Sequence, residues 1–181
     1  ATNKGGNFYG GSSAQQNCGL AAASSVQVKN LQLVSGEAPN GGGMYLQSCA
    51  AKVEATVVKG NKATSVSNEG LGGGIFNDQT SLAFKSVIVE DNHAEGSGAG
   101  VFMTGASSSL SGVDSRIKGN RATNKGGGVA VKDSMASIIG LTITHNLALY
   151  GGGINIEGGN FRLKHIQVNN NIAEGDMAEG G

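Results

Sequence analysis

The chain has 181 residues, of which 32 are glycine and one is proline, and its 13 Lys and Arg residues balance its 13 Asp and Glu residues. Because the cations are scattered singly, the chain lacks the basic stripe that nucleic-acid binding requires, and no apolar run approaches the ~20 residues that span a bilayer. Val and Ile recur at regular intervals between the glycines, which indicates a folded chain with a core.

Two short motifs alternate along the chain. The first is the triplet Asn-x-Ala, whose Asn occupies a position that we call the slot. A degenerate copy at residues 36–38 (Gly-Glu-Ala) precedes five complete copies, which begin at Asn61, Asn92, Asn120, Asn146 and Asn171. The second motif is a glycine-rich step that leads into an apolar residue, at 5–8, 41–44, 72–75, 98–101, 126–129 and 151–154. The slots lie 25 to 31 residues apart, a period typical of solenoid proteins.

Positions counted back from the slot show an alternating pattern. Three residues before the slot, all six copies have an apolar residue: Leu33, Val58, Val89, Ile117, Ile143 and Val168. Four residues before the slot, the column is mixed and is expected to point mostly outward: Gln32, Val57, Ile88, Arg116, Thr142 and Gln167. Because alternate side chains of a strand point to opposite faces, this pattern predicts a strand before each slot, with core residues stacked from copy to copy.

Two more strands are predicted in each copy. One follows the glycine step, as at 44–46 and 129–131, and the other is an apolar piece between the first two, as at 82–84 and 161–163. Three short strands per copy predict an all-β fold, a right-handed single-stranded parallel β-helix (a pectin-lyase-like solenoid) with about six coils of ~25–30 residues. The expected coils are 5–38, 41–63, 72–94, 98–122, 126–148 and 151–173, in one continuous domain over 1–181.

An antiparallel β-sandwich would also contain short strands. It would not require columns of constant character, and it usually shows hairpin turns such as Asn-Gly, which occurs once here, at Asn40 and Gly41. We therefore favour the β-helix. In that fold the slot residues Asn61, Asn92, Asn120, Asn146 and Asn171 are expected to form a ladder of amide hydrogen bonds at one turn.

The pairing of a Gly-Gly-x-apolar step with an apolar-x-x-Asn step resembles the repeats of the chlamydial polymorphic membrane proteins and related β-helical adhesins. The matching residues are 72–75 with 89–92, 126–129 with 117–120, and 151–154 with 143–146 and 168–171. The resemblance implies a secreted or surface-displayed solenoid with a role in adhesion or surface structure. It transfers no catalytic residue to this chain.

Residues that could carry chemistry are few. Glycoside hydrolysis needs two carboxylates at a fixed separation, and the sequence has no Asp-Asp pair. Arg116-Ile117-Lys118 is similar to a polygalacturonase tripeptide without its companion motifs, so we interpret it as an outward Arg and Lys around a core Ile. His93, His145 and His165 fall in different repeat positions, which predicts solvated turn residues and no shared metal site. We expect no cofactor, although turn Asp and Asn residues leave Ca²⁺ open.

Two sets of side chains leave alternatives open. Tyr9, Tyr45, Phe76 and Phe102 follow the post-glycine apolar residue in successive copies, and Ala130 and Asn155 continue this column. The four aromatic residues form either an exposed strip for a sugar ring or a partner surface, or a stacked ladder covered by loops. Cys18 and Cys49 either form one disulfide between neighbouring coils or remain two thiols.

From these patterns we expect a non-enzymatic, extracellular or cell-surface solenoid with a structural or adhesive role, and a carbohydrate or a protein surface as partner. One alternative is a segment of a polysaccharide lyase or hydrolase whose catalytic coils lie elsewhere. Another is a filament subunit that stacks coil end to coil end. Residues 1–6 repeat residues 122–127, so we also expect more coils in a longer protein, or self-association through the ends.

Overall fold

The computed structural model describes residues 5–10, 25–64 and 69–175. These residues form 22 strands and no helix. Every pairing between those strands is parallel. The fold is therefore a parallel β-helix, as the repeats predict, and the antiparallel sandwich is excluded.

The first three coils each contain four strands. Coil 1 has β1 (Phe8–Gly10), β2 (Ser25–Lys29), β3 (Gln32–Val34) and β4 (Glu37–Ala38). Coil 2 has β5 (Met44–Gln47), β6 (Ala50–Glu54), β7 (Val57–Lys59) and β8 (Lys62–Ala63). Coil 3 has β9 (Ile75–Asp78), β10 (Ser81–Lys85), β11 (Ile88–Glu90) and β12 (His93–Ala94).

In the next two coils the two central strands merge into one long, bent strand. Coil 4 has β13 (Val101–Thr104), β14 (Ser107–Lys118) and β15 (Arg121–Ala122). Coil 5 has β16 (Val129–Lys132), β17 (Met135–Thr144) and β18 (Leu147–Ala148). Coil 6 has β19 (Ile154–Glu157), β20 (Phe161–Lys164), β21 (Gln167–Asn169) and β22 (Ile172–Ala173).

The strands stack into three parallel sheets. Sheet 1 runs β1-β5-β9-β13-β16-β19, and each of its strands follows a glycine step. Sheet 2 contains the central part of every coil, which is two strands in coils 1 to 3 and 6 and one merged strand in coils 4 and 5. Sheet 3 contains the two-residue strands β4, β8, β12, β15, β18 and β22. Each coil thus contributes one rung to each sheet, and the rungs enclose the core.

The apolar column before the slot forms one continuous seam. Leu33 pairs with Val58, Val58 with Val89, and the register continues through Ile117 and Ile143 to Val168. The four central members are 0% exposed and, with Leu33, belong to the main apolar cluster between the sheets, whereas Val168 in the last coil is 39% exposed. The predicted strand before the slot, and its inward face, are confirmed.

Sequence analysis did not predict sheet 3. The residues after each slot were assigned to a turn, whereas they form a two-residue strand whose Ala points inward. Four of these Ala residues, Ala63, Ala94, Ala122 and Ala148, form a small buried cluster with Ala99 of a glycine step. These Ala side chains are 0–3% exposed, and because protein interiors are close-packed, a larger side chain would have to displace its neighbours.

Candidate functional site

The slot Asn residues form a ladder inside the coil stack. At Asn120 the side-chain amide nitrogen donates to Asn146 Oδ1 at 2.9 Å and to the backbone oxygen of Val89 at 3.1 Å. Its Oδ1 accepts hydrogen bonds from the backbone nitrogen and the side-chain amide of Asn92, at 3.0 and 2.9 Å. The same links join Asn61 to Asn92 and Asn146 to Asn171. A buried amide so placed satisfies both its own polar atoms and those of the neighbouring coil.

The glycine step packs against this ladder. A Cβ atom added to Gly128 would lie 2.5 Å from the backbone oxygen of Gly153 in the next coil, 2.7 Å from Ile143 Cγ2 and 3.0 Å from Asn146 Nδ2. No side chain fits between these atoms. The two sequence motifs are therefore the two sides of one packed corner, which explains why they recur together.

The aromatic residues form a second ladder, on the outer face of sheet 1. Successive ring centroids are 5.6, 4.7 and 5.3 Å apart from Tyr9 to Phe102, and all three ring pairs are stacked. Tyr45, Phe76 and Phe102 are 4–7% exposed, whereas Tyr9 is 43% exposed. Leu71 packs against the cluster. Of the two alternatives left open by the sequence, this burial agrees with the covered, stacked ladder.

The buried phenol in this stack has a perturbed pKa. Burial, together with the nearby Asp78 carboxylate, raises the pKa of Tyr45 to about 12. The phenol therefore keeps its proton at any physiological pH. A neutral, stacked ring is suited to packing rather than to proton transfer.

The aromatic column ends at a groove. Phe102 pairs with Ala130, and Ala130 pairs with Asn155, so no ring stands in this column in coils 5 and 6. A cavity of about 500 Å³ lies here, and its lining includes Phe102, Ala130, Lys132 and Asn155. Two more lining residues, Lys125 and Glu157, form an ion pair. The sequence shows that Ala130 and Asn155 replace the aromatic rings. It does not show the groove that results, because the groove also depends on the residues that line its sides.

Ion pairs link neighbouring coils on the outer face of sheet 2. Glu90 lies 2.9 Å from Lys59 Nζ in the coil before it and 2.9 Å from Lys118 Nζ in the coil after it. Hydrogen bonds from Lys59 and then Lys118 lower the pKa of Glu90. Glu54 lies in the same way between Lys29 and Lys85. These charges therefore act between coils, in parallel with the buried amides.

A wider concavity lies on sheet 2, with a volume of about 850 Å³. It forms where the register of β14 and β17 shifts, so that residues 112–114 of coil 4 face Gly140 alone. Asp91, Asp114, Arg116 and His145 line it. Ile117 is 0% exposed between the outward Arg116 and Lys118, which confirms the interpretation of that tripeptide as a core Ile with two outward cations.

One histidine that was predicted to lie in a turn lies in a strand. His93 is half-buried in β12 rather than in a turn, and burial, with Lys62 beside it, lowers its pKa. Within residues 5–10, 25–64 and 69–175, no three His, Cys, Asp or Glu side chains group as metal ligands. Over the same ranges there is no helix long and apolar enough to cross a membrane.

The disulfide prediction cannot be placed, because Cys18 lies outside the described residues. Cys49 lies at the corner between sheets 1 and 2, with its Sγ 3.7 Å from the Thr80 hydroxyl. Nearby, Asn77 interrupts an apolar inward column, and its side-chain amide nitrogen has no hydrogen-bond partner. Sequence reasoning missed this buried amide, because a single polar residue at an inward position has no local sequence signal.

Comparisons with protein-family models, curated proteins and solved structures found no match for this chain. The fold and the geometry of its corners are therefore the basis for any functional conclusion.

Proposed function

We propose that this chain is a non-enzymatic, extracellular or cell-surface solenoid that holds an extended, rigid surface for adhesion. The observation that carries the proposal is the slot ladder, which runs without a break from Asn61 to Asn171. Because each amide from Asn61 to Asn146 donates to a backbone oxygen of the coil before it and to the slot Asn of the coil after it, the coils keep a fixed register. A rod with such a register presents outward side chains at a constant spacing of about 4.8 Å per coil.

The resemblance to the chlamydial polymorphic membrane protein repeats supports the same role. Their two motif halves correspond here to residues that pack on each other, as Gly128 does against Ile143 and Asn146. A chain that contains both the Gly-Gly-x-apolar step and the apolar-x-x-Asn step is therefore expected to form this packed corner. The adhesive role and the surface location are what that family resemblance adds to the proposal.

The ion pairs between neighbouring coils favour a structural scaffold over an enzyme. Glu90, Glu54 and Glu95 are each ion-paired with a Lys of a neighbouring coil. Catalytic carboxylates in glycoside hydrolysis need to exchange protons and to face the substrate. Carboxylates that are paired with Lys side chains of neighbouring coils instead help to hold those coils in register.

The test measures retention and cleavage in one experiment. The chain is incubated with immobilised polysaccharides of varied composition, with soluble polysaccharide as competitor, and the supernatant is assayed for new reducing ends and for unsaturated sugar products. We expect competable retention without new chain ends. New chain ends that increase with time would establish an enzyme, and the absence of retention on every surface, including intact cells of the source organism, would remove the adhesive role.

A second candidate, end-to-end assembly, is favoured by one observation. Coil 6 exposes apolar side chains, with Phe161 at 58%, Leu163 at 41% and Ile172 at 59%. A further coil would cover this face, whether it came from the same chain or from a second copy. Sedimentation velocity of the chain and of its Phe161→Ser variant tests the second possibility. Concentration-dependent rods that the variant abolishes are expected for a filament subunit, and a monomer at all concentrations would exclude one.

A further inference from the structure

The outer face of sheet 1 has one column that changes character along the molecule. In coils 1 to 4 this column holds Tyr9, Tyr45, Phe76 and Phe102, which stack in register. In coils 5 and 6 it holds Ala130 and Asn155. The rings fill the space beside the sheet over the first four coils. Over the last two coils no ring fills that space, and Ala130, which is 3% exposed, forms part of the floor of the groove.

The turns that flank the aromatic rings in the first four coils also flank the column beside Ala130 and Asn155, where there are no rings. The turns that precede the glycine steps run alongside the column, and Ser97, Asn124 and Lys125 from these turns line the cavity together with Phe102 and Asn155 of sheet 1. The cavity volume is about 500 Å³, within the range of about 300–1,000 Å³ for small-molecule sites. Phe102 is 4% exposed, so the ladder ends in the wall of the groove and not on an open surface.

We propose that this groove binds one uncharged pyranose ring of a glycan, which takes the position beside Ala130 in line with the aromatic ladder. This inference rests on the adhesive function proposed above and assigns it a site. Neighbouring rings in the ladder are 4.7–5.6 Å apart, close to the spacing of successive coils. A flat sugar ring beside Ala130 would therefore lie at the same spacing from Phe102 as the aromatic rings lie from one another.

The lining favours a sugar over an aromatic side chain. An aromatic ring here would lie against the amides of Asn124 and Asn155 and the ammonium of Lys132, and burial of polar groups without hydrogen bonds is costly. A pyranose has an apolar C–H face that suits contact with Phe102 and Ala130. Its hydroxyl groups lie around the rim of the ring, where they can exchange hydrogen bonds with both amides.

The charge of the lining favours an uncharged sugar over an acidic one. The lining includes two cations, Lys125 and Lys132, and two anions, Glu69 and Glu157. Because Lys125 is already paired with Glu157, and Glu69 offsets Lys132, the groove has no net positive charge for a carboxylate. The Lys125–Glu157 pair instead supplies donors and acceptors for hydroxyl groups.

Three variants test the site. Ala130→Phe extends the aromatic ladder by one ring and fills the proposed position. Asn155→Ala removes one hydrogen-bonding amide from the rim. Thr142→Phe is the matched control, since it adds the same ring to a half-exposed outward position of sheet 2, away from the groove. Far-ultraviolet circular dichroism and thermal midpoints establish that each variant is folded.

Binding is measured by saturation-transfer NMR and titration with methyl glycosides of glucose, galactose, mannose and N-acetylglucosamine, with methyl glucuronide and indole as comparison ligands. We expect at least one uncharged glycoside to bind. Ala130→Phe should weaken that binding by more than about tenfold, and Asn155→Ala by about fivefold, since one hydrogen bond is worth a factor of about 2 to 10. Thr142→Phe should leave it unchanged.

Three results would overturn the assignment: tighter binding of the glucuronide, binding of indole with no binding of any glycoside, or glycoside binding that survives both groove variants. In the last case polysaccharide retention would still support the adhesive function, and only the location of the site would be wrong. If the chain retains no polysaccharide but an uncharged glycoside binds and Ala130→Phe blocks it, the groove stands and the adhesive function fails.

Discussion

The corner formed by the slot and the glycine step has the same geometry in the first coil and in the inner coils, but Asn and Gly exchange positions in it. In the inner coils the slot holds Asn and the last position of the glycine step holds Gly, as in Asn61 and Gly43. In coil 1 the slot holds Gly36, and Asn7 stands in the glycine step. The Asn7 side-chain amide donates to Asn61 Oδ1 at 3.0 Å, and the backbone nitrogen of Gly36 donates to the same oxygen at 2.8 Å.

This exchange shows what the corner requires. A Cβ atom added to Gly36 would lie 2.6 Å from Asn7 Nδ2, so the amide of Asn7 occupies the space beside the empty slot. The ladder needs one amide per coil at this place, and the fold accepts that amide from either strand. The difference between the coils is one of exposure, because the inner slots are buried and Asn7 is exposed.

Removal of an inner slot amide should have the largest effect. Asn120→Ala leaves the backbone nitrogen and side-chain amide of Asn92 without their acceptor, in a site that is 0% exposed. We expect a loss of about 4 kcal/mol in the free energy of unfolding, since each stranded buried group costs about 1–3 kcal/mol. Denaturant titration measures it. Arg121→Ala, at the exposed neighbouring position, is the control and should change stability by less than about 0.5 kcal/mol.

Filling the opposite side of an inner corner should have the next largest effect. Gly128→Ala places a methyl group 2.5 Å from the backbone oxygen of Gly153, and overpacking of this kind costs about 1–3 kcal/mol. Gly60→Ala separates space from backbone strain, because Gly60 has a φ of +62° but no atom within 4 Å of the added Cβ. That control should cost about 1 kcal/mol. Equal losses in thermal unfolding would show that crowding is not what excludes a side chain at Gly128.

The amide of Asn7 should contribute less than an inner one. Asn7→Ala, Asn61→Ala and the double variant form a double-mutant cycle, and we expect a coupling of about 0.5–1 kcal/mol, because the bond is half exposed. Denaturant unfolding of the four proteins gives this coupling. A value near zero would mean that Asn7 does not replace the missing slot side chain.

The outer charges should give the smallest effect, one that depends on pH. Coil 1 has Val34 where the following coils have Lys59, Glu90 and Lys118, so this charge ladder begins only at coil 2. The Lys contacts hold the pKa of Glu90 below its usual value, so its stabilisation is present above pH ~4.3 and is lost as the pH falls through the lowered pKa.

We therefore expect Glu90→Gln to lower stability at pH 7 by about 0.5–1 kcal/mol, a value that allows for solvent screening of two half-exposed Lys residues. The difference between the variant and the parent should shrink as the pH falls through the lowered pKa of Glu90 and vanish once Glu90 is protonated. Thermal midpoints across this pH range measure it, with the exposed Glu174→Gln as control. A difference that persists at low pH would mean that the amide disrupts packing rather than an ion pair.

Much of the fold was predictable because a solenoid repeats its local physics. The seam from Leu33 to Val168 keeps its apolar character in all copies, and six repetitions of one constraint exceed the scatter of any single copy. Sheet 3 was missed for the opposite reason. Two residues such as His93 and Ala94 are too few to show the period of a strand.

The candidate site was less predictable. The sequence shows the rings from Tyr9 to Phe102, but whether they face solvent depends on how Leu71 and the turns of several coils pack on them, which only the folded chain determines. The groove beside Ala130 likewise has two causes. The column lacks a ring there, and turn residues from other parts of the chain form its sides once the coils are folded. Asn7 was read as part of a glycine step, and its link to Asn61, 54 residues away, has no local signal.

The central claim is that successive coils lie directly above one another, with the slot column and its apolar seam in register. Methyl-labelled NMR spectroscopy tests it most directly, through contacts among Val58, Val89, Ile117 and Ile143. The account predicts methyl contacts between consecutive members of this series, in that order, and none between members two coils apart. Contacts that skip a member, or none among the four, would contradict it.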